Sequence, residues 1–265
     1  MFEIPIYLRA LLGRFTSGGR AGTYDALITP IQERGLSVTF VTLNYDTLLD
    51  EAIGRKYETQ IESMNDYVSD TIARPWSYIK LHGSVNWVYP TRMDSQDRMA
   101  TNFNVDRYLS VMDRNHDHIR DSPSGILLTD NHSLKYESIL TYPALAIPAD
   151  ARKAVVCPGP HIGALRSALD SDPSVLVIGN QGLDRDLMAI LSKSTPRYSN
   201  KPFRVVDPKD ATAVMQRFAE ALNRTGYRMY PDVGFRDFVT SAEAERFFDE
   251  VREAKNAETA NRFRR

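Results

Sequence analysis

Short apolar runs alternate along the chain with segments of helical periodicity. Val38–Leu43 is rich in β-branched and apolar residues, which predicts a buried parallel strand. Comparable runs follow at Ser174–Gly179 and Phe203–Asp207, and a shorter one contains Ile79 and Leu81. Between these runs, apolar residues recur at offsets of three and four, as in amphipathic helices. The alternation predicts an α/β fold with a Rossmann-like, doubly wound parallel sheet.

Several of the helical segments have recognisable ends. Tyr24–Arg34 is predicted to be a helix that ends at Gly35, a residue type favoured at helix C-termini. Asp46 is a candidate N-cap for the helix that follows the first strand. The remaining predicted elements are helices at Ile4–Leu12, Ile162–Leu169, Asp184–Leu191, Ala211–Leu222 and Ser241–Arg265, a glycine-rich loop at Phe15–Thr23, and a weak strand that starts at Val155-Val156. The last helix is expected at the surface or in contact with another chain.

Length and composition bound the class of protein. A chain of 265 residues with 42% hydrophobic residues can bury a sizeable core. A formal net charge of −1 gives no direct argument for nucleic-acid binding. Because no apolar run approaches the ~20 residues of a membrane helix and no signal segment is present, we expect a cytoplasmic protein without a membrane partner. We expect a single domain over residues 1–265, with a polar insertion or small helical subdomain at about 87–140.

Polar residues follow two of the predicted strands at the point where each strand ends. Asn44, Tyr45 and Asp46 come after the first strand, and His82 and Gly83 come after the strand that contains Ile79. Open α/β sheets bind nucleotides in the crevice at the carboxyl ends of their strands. Taken singly, the first group would be explained by a turn and helix start, and the histidine by a structural role. Together they offer an amide, a carboxylate and an imidazole to one crevice.

These two segments also carry a family resemblance. Residues 44–46 (Asn-Tyr-Asp) and residues 80–84 (Lys-Leu-His-Gly-Ser) resemble the sirtuin family, in which an Asn-x-Asp loop and a His-Gly loop surround the nicotinamide ribose of NAD. The closer similarity is to the sirtuin-like domains of bacterial antiphage defence proteins. The resemblance covers residues 36–210 approximately, and it continues weakly through Ala144–Lys153 and the last two predicted strands.

The resemblance implies that NAD is the substrate. Cleavage of the nicotinamide–ribose bond requires groups that orient the ribose, hold the leaving amide and manage a proton. By resemblance, Asn44 orients the ribose or an attacking water, Asp46 binds the nicotinamide carboxamide, and His82 acts as general base. The implied function is an NAD hydrolase that releases nicotinamide and ADP-ribose and depletes NAD in antiphage defence, as a homo-oligomer or with a partner defence protein. The alternative is a non-catalytic nucleotide-binding or assembly module that retains the fold.

Two later positions are candidates for contacts with the rest of NAD. Gly179, Asn180 and Gly182 lie between a predicted strand and a helix, where glycines let the backbone approach a phosphate or ribose. A tight strand-to-helix turn explains the same residues equally well. Asp207 ends the next strand and suits an adenosine ribose hydroxyl, whereas Pro208 after it indicates a helix start. Both interpretations stay open for both positions.

Cysteine usage argues against a zinc module. Cys157 is the only cysteine, whereas protein-deacylating sirtuins carry a four-cysteine zinc ribbon. We therefore expect no zinc and no cofactor beyond NAD as substrate, and we expect Cys157 to be buried and unreactive. Asp113, His116 and His118, together with Asp117, form a polar cluster without an apolar frame, which favours a solvated insertion over a metal site.

One feature of sirtuin-like domains has no counterpart before Val38. Such domains open with a strand and a Gly-Ala-Gly-x-Ser turn whose amides approach the NAD pyrophosphate. Gly18, Gly19 and Gly22 follow no convincing strand, so we predict a flexible loop rather than a phosphate cradle. The sequence is therefore expected to be either N-terminally incomplete or a reduced member of its family.

Overall fold

Helices and strands alternate along the computed structural model, which describes residues 3–16, 22–68, 74–91, 105–115, 125–129, 135–136, 139–147, 156–193, 199, 201–225 and 227–262. The elements in chain order are α1 (Glu3–Thr16), α2 (Gly22–Glu33), β1 (Val38–Thr42), α3 (Leu48–Lys56), α4 (Met64–Tyr67), β2 (Trp76–Lys80), β3 (Gly83–Pro90), α5 (Val105–Arg114), β4 (Leu127–Leu128), β5 (Lys135–Tyr136), β6 (Ile139–Leu145), α6 (Gly159–Asp170), β7 (Val175–Ile178), α7 (Arg185–Leu191), β8 (Phe203–Val206), α8 (Ala211–Ala221), α9 (Phe235–Val239) and α10 (Ala242–Arg262). Among these helices, none has a stretch long and apolar enough to cross a membrane.

The chain divides into two units. The first contains Met1–Arg20 and Phe40–Ile162, and the second contains Ala21–Thr39 and Gly163–Arg265. The predicted mixed α/β fold is confirmed, with β1 paired to β2 and β7 paired to β8 in parallel. A four-stranded sheet in the order β4-β3-β6-β5 has antiparallel neighbours. We did not predict β3, because it starts directly after the His82 turn and interrupts its apolar residues with polar ones.

The core of the first unit lies along β3 and β6. Both strands are almost entirely buried, and α1 packs against both of them. Pro5, Arg9 and Gly13 recur every four residues on the buried side of α1, and Tyr7 lies on the exposed side. Arg9 donates from Nε to the carbonyl oxygen of Val85 at 2.8 Å. Burial lowers the pKa of this guanidinium from its ordinary value, although it remains a cation.

In the second unit, β7, β8, α7 and α8 pack together. The predicted apolar face of α8 is confirmed, because its six periodic residues are all buried: Ala211, Val214, Met215, Phe218, Ala219 and Leu222. The strands pair in register from Val175 with Phe203 to Ile178 with Val206. The carboxyl ends of both strands therefore lie side by side, next to the turns that follow them.

The predicted end of α2 at Gly35 is also confirmed. Gly35 has φ of +58°, and its amide donates to the carbonyl of Gln32 at 2.9 Å. The amide of Leu36 donates to the carbonyl of Ile31 at 3.0 Å, which completes the two hydrogen bonds of a Schellman motif. The helix ends here because only a residue that tolerates positive φ makes this turn without strain.

The C-terminal helix α10 packs against α2 and α9 within the second unit. Phe247 and Phe248 are buried, whereas most of the helix is exposed, as expected for a surface helix. Arg34 donates from Nε to Asp249 at 2.9 Å and from an Nη to Glu245 at 2.5 Å. These carboxylates lie four residues apart, so they share the face of α10 that the guanidinium contacts.

Four local predictions were wrong. The N-cap of α3 is Thr47 rather than Asp46, because the turn after β1 is one residue longer than expected. Val41 is 37% exposed, since successive side chains of a strand point to opposite faces and only Phe40 of β1 is buried. Val156 is irregular rather than in a strand, because its amide bonds to the His82 turn. Of the predicted loop at Phe15–Thr23, the described ends are helical, and Gly18 and Gly19 lie outside the described residues.

Candidate functional site

The loop after β1 carries two of the predicted site residues. The Asn44 side chain is exposed, and the backbone N–H of this residue donates to Oγ1 of Thr42 at 3.1 Å. Asp46 accepts the amide of Leu48 through Oδ1 at 3.1 Å, and no partner for Oδ2 is found in the described part of the chain. The Tyr45 hydroxyl donates to the carbonyl of Ala146 at 2.6 Å. The loop is therefore fixed at its centre, while the side-chain amide of Asn44 and one carboxylate oxygen of Asp46 remain available.

His82 lies in a two-residue turn where the chain leaves β2 and enters β3. Gly83 has φ of +82°, and a Cβ atom there would lie 1.9 Å from the carbonyl oxygen of Ala144, so only glycine fits. The His82 carbonyl accepts the amide of Ala146 at 2.9 Å, and the Leu81 carbonyl accepts the amide of Val156 at 3.3 Å. His82 is 6% exposed, and these hydrogen bonds fix the backbone that carries its imidazole.

The structure brings these two segments together within the first unit. The carbonyl of Tyr45 accepts the amide of Val85 at 2.9 Å and Oγ of Ser84 at 3.2 Å. The amide of Leu81 donates to the carbonyl of Thr42 at 3.0 Å. The rings of Tyr45 and His82 have centroids 6.5 Å apart. Asn44 and Asp46 thus share one edge of the unit with His82, which lies 38 and 36 residues further along the chain.

A buried ion pair lies beneath the loop. Lys80, at the end of β2, is fully buried, and its Nζ donates to Oδ2 of Asp50 at 2.8 Å. The same ammonium donates to the carbonyl oxygen of Asp46 at 2.5 Å. Two rigid elements, β2 and α3, therefore hold the end of the loop from below.

Aromatic side chains complete the surroundings of Asp50. Tyr67 donates to its Oδ1 at 2.7 Å, and Tyr78 donates to its Oδ2 at 3.0 Å. Trp87 in turn donates from its indole to the hydroxyl of Tyr67 at 3.0 Å. Burial and the negative charge of Asp50 raise the pKa of Tyr67 well above its ordinary value, so this hydroxyl stays a donor.

We did not predict a role for Lys80, Ser84 or Asp50 from the sequence. A signal for Lys80 was present, because Trp76, Tyr78 and Lys80 alternate along β2 and so lie on one face of the strand. For Asp50, the signal was its place one helical turn after Asp46 and next to the apolar face of α3. Neither signal identifies the partners of these side chains, since one of the two acceptors for Lys80 is a backbone carbonyl.

In the second unit, the turn after β7 has the conformation of a tight strand-to-helix connection. Gly179 and Gly182 have φ of +62° and +66°. Oδ1 of Asn180 accepts the amide of Gly182 at 2.8 Å, which fixes the turn. A Cβ atom at Gly182 would lie 3.2 Å from the ring of Phe218, so this glycine also allows close packing. At Gly179 a Cβ atom would meet nothing within 4 Å, so its backbone is open to approach.

Asp207 is 2% exposed, and both of its carboxylate oxygens accept hydrogen bonds within the fold. Its Oδ1 accepts the amides of Lys209 and Asp210, each at 2.9 Å, and its Oδ2 accepts the side-chain amide of Gln181 at 2.5 Å. The N-cap of α8 is Asp210, whose Oδ1 accepts the amide of Ala213 at 3.1 Å. Asp207 therefore shapes the turn that precedes the helix and ties it to the turn after β7.

The other sequence candidates take no part in these two groups. Cys157 is buried, as predicted, and burial raises the pKa of its thiol to about 12. Asp113 is exposed at the end of α5. His116, Asp117 and His118 lie outside the described residues.

Comparison with known proteins gives a family match that includes the same residues. A family model described as a SIR2-like domain matches residues 38–227, a span that begins with β1 and continues past α8. It includes both the Asn44 loop and the His82 turn, as well as Gly179, Asn180 and Asp207. No curated protein matches the chain. Since the match covers well over half of the sequence and its predicted fold is present, the chain belongs to the SIR2-like domain family.

Proposed function

We propose that this chain hydrolyses NAD at the nicotinamide–ribose bond and releases nicotinamide and ADP-ribose. The observation that carries the proposal is the attachment of the Asn44 loop to the strand that begins after His82, through the two bonds to the Tyr45 carbonyl. That attachment holds an exposed amide and a nearly buried imidazole on one framework. Membership of the SIR2-like family supports NAD as the nucleotide.

The proposed chemistry needs three tasks at the nicotinamide ribose. As the glycosidic bond breaks, the ribose gains positive charge and nicotinamide leaves with the bonding electrons. Asn44 orients the ribose or the attacking water, Asp46 binds the carboxamide through its second oxygen, and His82 accepts the proton that water loses. Water thus supplies the hydroxyl group of ADP-ribose, and the proton passes from His82 to solvent.

We propose that Gly179 and Asp207 of the second unit contact the adenosine side of NAD. The backbone at Gly179 has open space beside it, which suits the approach of a phosphate or ribose. Asn180 supports that turn by holding the amide of Gly182. Asp207 would receive a ribose hydroxyl by releasing the exposed Gln181 side chain from Oδ2 while its Oδ1 keeps the turn in place.

The biological setting that we propose is antiphage defence in the cytoplasm by NAD depletion. The similarity of residues 44–46 and 80–84 to the sirtuin-like domains of defence proteins supports it. A homo-oligomer or a partner defence protein would supply the activating contact.

An NAD consumption assay tests the proposed chemistry. We expect His82→Ala and Asn44→Ala to lower turnover by roughly two orders of magnitude or more, because a positioned base and an oriented reactant typically contribute that much. Asn65→Ala is the matched control, since Asn65 is an exposed asparagine of the same unit in α4. It should keep the turnover of the unmutated protein.

Two results would contradict the proposal. Near-normal NAD consumption by a folded His82→Ala protein would reject the catalytic role of the imidazole. Failure of the unmutated protein to cleave NAD, with or without a partner, would favour the alternative of a nucleotide-binding or assembly module. Binding of NAD without cleavage would identify that alternative directly.

A further inference from the structure

Two consecutive backbone carbonyls in the Asn44 loop are held by residues that flank His82 in the chain. The Tyr45 carbonyl accepts from Ser84 and Val85, on the β3 side of the turn. The Asp46 carbonyl accepts from Lys80, on the β2 side. The segment around His82 therefore grips the loop from both sides of the turn.

We propose that Lys80 is a positioning residue, which sets the Asn44 loop relative to His82 through the carbonyl of Asp46. The proposal rests on the NAD hydrolase function proposed above. Lys80 is fully buried and therefore does not contact a substrate itself. Its effect passes through the backbone of Asp46, two residues from Asn44.

The chemistry of the ammonium suits this task. Lysine has three donors on a compact charged group, so it serves the Asp46 carbonyl and the Asp50 carboxylate at once. A charged donor forms a shorter and stronger bond to a carbonyl than a neutral one. Asp50 balances the charge and also accepts hydrogen bonds from Tyr67 and Tyr78. The pair is therefore part of a hydrogen-bonded group under the loop rather than an isolated contact.

Removal of the ammonium should release the loop while leaving its other anchors in place. The Tyr45 carbonyl would still be held by Ser84, and its hydroxyl by Ala146. We expect the backbone that carries Asn44 to lose its fixed position, which lowers kcat by about tenfold or more while KM changes by less than about threefold.

The experiment separates positioning from charge balance with three variants: Lys80→Met, Asp50→Asn, and the two combined. Lys80→Met leaves a buried carboxylate without its cation and should lower the thermal midpoint. The combined variant has no unpaired charge, so its thermal midpoint should recover. Its turnover should stay low, and amide hydrogen exchange over residues 43–48 should stay faster than in the unmutated protein, because the Asp46 carbonyl still lacks its donor.

Arg224→Met is the matched control. Arg224 is a buried cation of the second unit that donates to the carbonyls of Lys201 and Pro173 and pairs with Asp172. Its loss should lower the thermal midpoint without changing exchange over residues 43–48. If Lys80→Met alone does not fold, the combined variant carries the test.

Recovery of both turnover and slow exchange in the combined variant would overturn the proposal, since Lys80 would then be only a charge partner. Unchanged exchange over residues 43–48 in Lys80→Met would overturn it as well. If the unmutated protein does not cleave NAD but the variants expose the loop to exchange, the hydrolase function fails and the positioning role stands.

Discussion

At the residue scale, burial alters the acid–base behaviour of a histidine away from the proposed chemistry. His161 is 2% exposed, and its Nε2 lies 3.0 Å from the carbonyl oxygen of Met64. The rings of Tyr67 and Trp87 lie beside it, with centroid distances of 5.9 and 6.2 Å. Its Nδ1 is buried without a hydrogen-bond partner among the described residues. Burial lowers the pKa of His161, and the Met64 carbonyl opposes that shift only in part.

This lowered pKa predicts a loss of stability in mild acid. Above the ordinary histidine pKa of about 6.5, His161 is neutral in both the folded and unfolded states. As the pH falls below that value, the unfolded chain binds a proton that the folded chain resists, so the free energy of unfolding decreases. We expect the free energy of unfolding of His161→Leu, measured by urea unfolding, to change less between pH 7.5 and 5.5 than that of the unmutated protein. An unchanged slope in the variant would contradict the assignment to His161.

The sequence identifies the polar residues of the first unit better than their partners. Asn44, Asp46 and His82 are recognisable because each follows an apolar strand within a short motif. The pairing of Lys80 with Asp50 is not, because it joins residues 30 positions apart and depends on how β2 faces α3. A hydrogen bond to a backbone carbonyl does not require a particular residue type at the acceptor, so the sequence does not reveal it.

At the element scale, a glycine can end a helix or lie inside one, depending on its backbone conformation. Gly35 ends α2 at positive φ, whereas Gly163 lies inside α6 with helical backbone. A Cβ atom would meet nothing within 4 Å at either position. The two glycines therefore differ in backbone conformation and not in available space.

Alanine at these two positions should have opposite effects on stability. Gly35→Ala forces a side chain into the left-handed region and should lower the free energy of unfolding by about 1 kcal/mol. Gly163→Ala reduces the freedom of the unfolded chain and should raise it by roughly 0.5–1 kcal/mol. Denaturant unfolding of both variants measures the pair. A destabilised Gly163→Ala would show that the site is crowded, against the geometry.

Element prediction succeeds where one periodicity controls burial. The face of α8 follows a period of 3.6 residues, so every apolar position that the sequence predicts is buried. The strand β3 has no such simple pattern, because Ser84 and Asn86 are polar and yet lie within the sheet that packs against α1. The Ser84 hydroxyl donates to the Tyr45 carbonyl, whereas Oδ1 of Asn86 is buried without a hydrogen-bond partner among the described residues. A local pattern contains neither outcome, because both depend on tertiary packing.

At the scale of the whole molecule, the single cysteine leads us to predict that the chain has no zinc ribbon. Cys157 is buried, and its raised pKa of about 12 keeps the thiol protonated at neutral pH. Zinc binds the thiolate form, and a ribbon needs four ligands. We therefore expect elemental analysis of the purified protein to find no stoichiometric zinc, and a chelator to leave the thermal midpoint unchanged. Stoichiometric zinc would contradict this expectation and would direct attention to His116 and His118.

The division into two units is the feature that the sequence could least reveal. Ala21–Thr39 groups with Gly163–Arg265, although more than 120 residues separate them. Contacts such as Arg34 with Asp249 and Lys255 with the Gly35 carbonyl connect these segments. Periodicity predicts where α2 and α10 lie in the chain, but the match between their faces arises only from packing.

Trp87 allows the buried group around Asp50 to be monitored by fluorescence. Its indole is joined to Tyr67, and Tyr67 is joined to the carboxylate that holds Lys80. The chain has only one other tryptophan, Trp76, which lies under the guanidinium of Arg74. With Trp76→Phe, all tryptophan fluorescence of the protein would come from a single indole, which is two hydrogen bonds away from that carboxylate. The molecule thus contains its own optical sensor for the state of the loop after β1, without an attached dye.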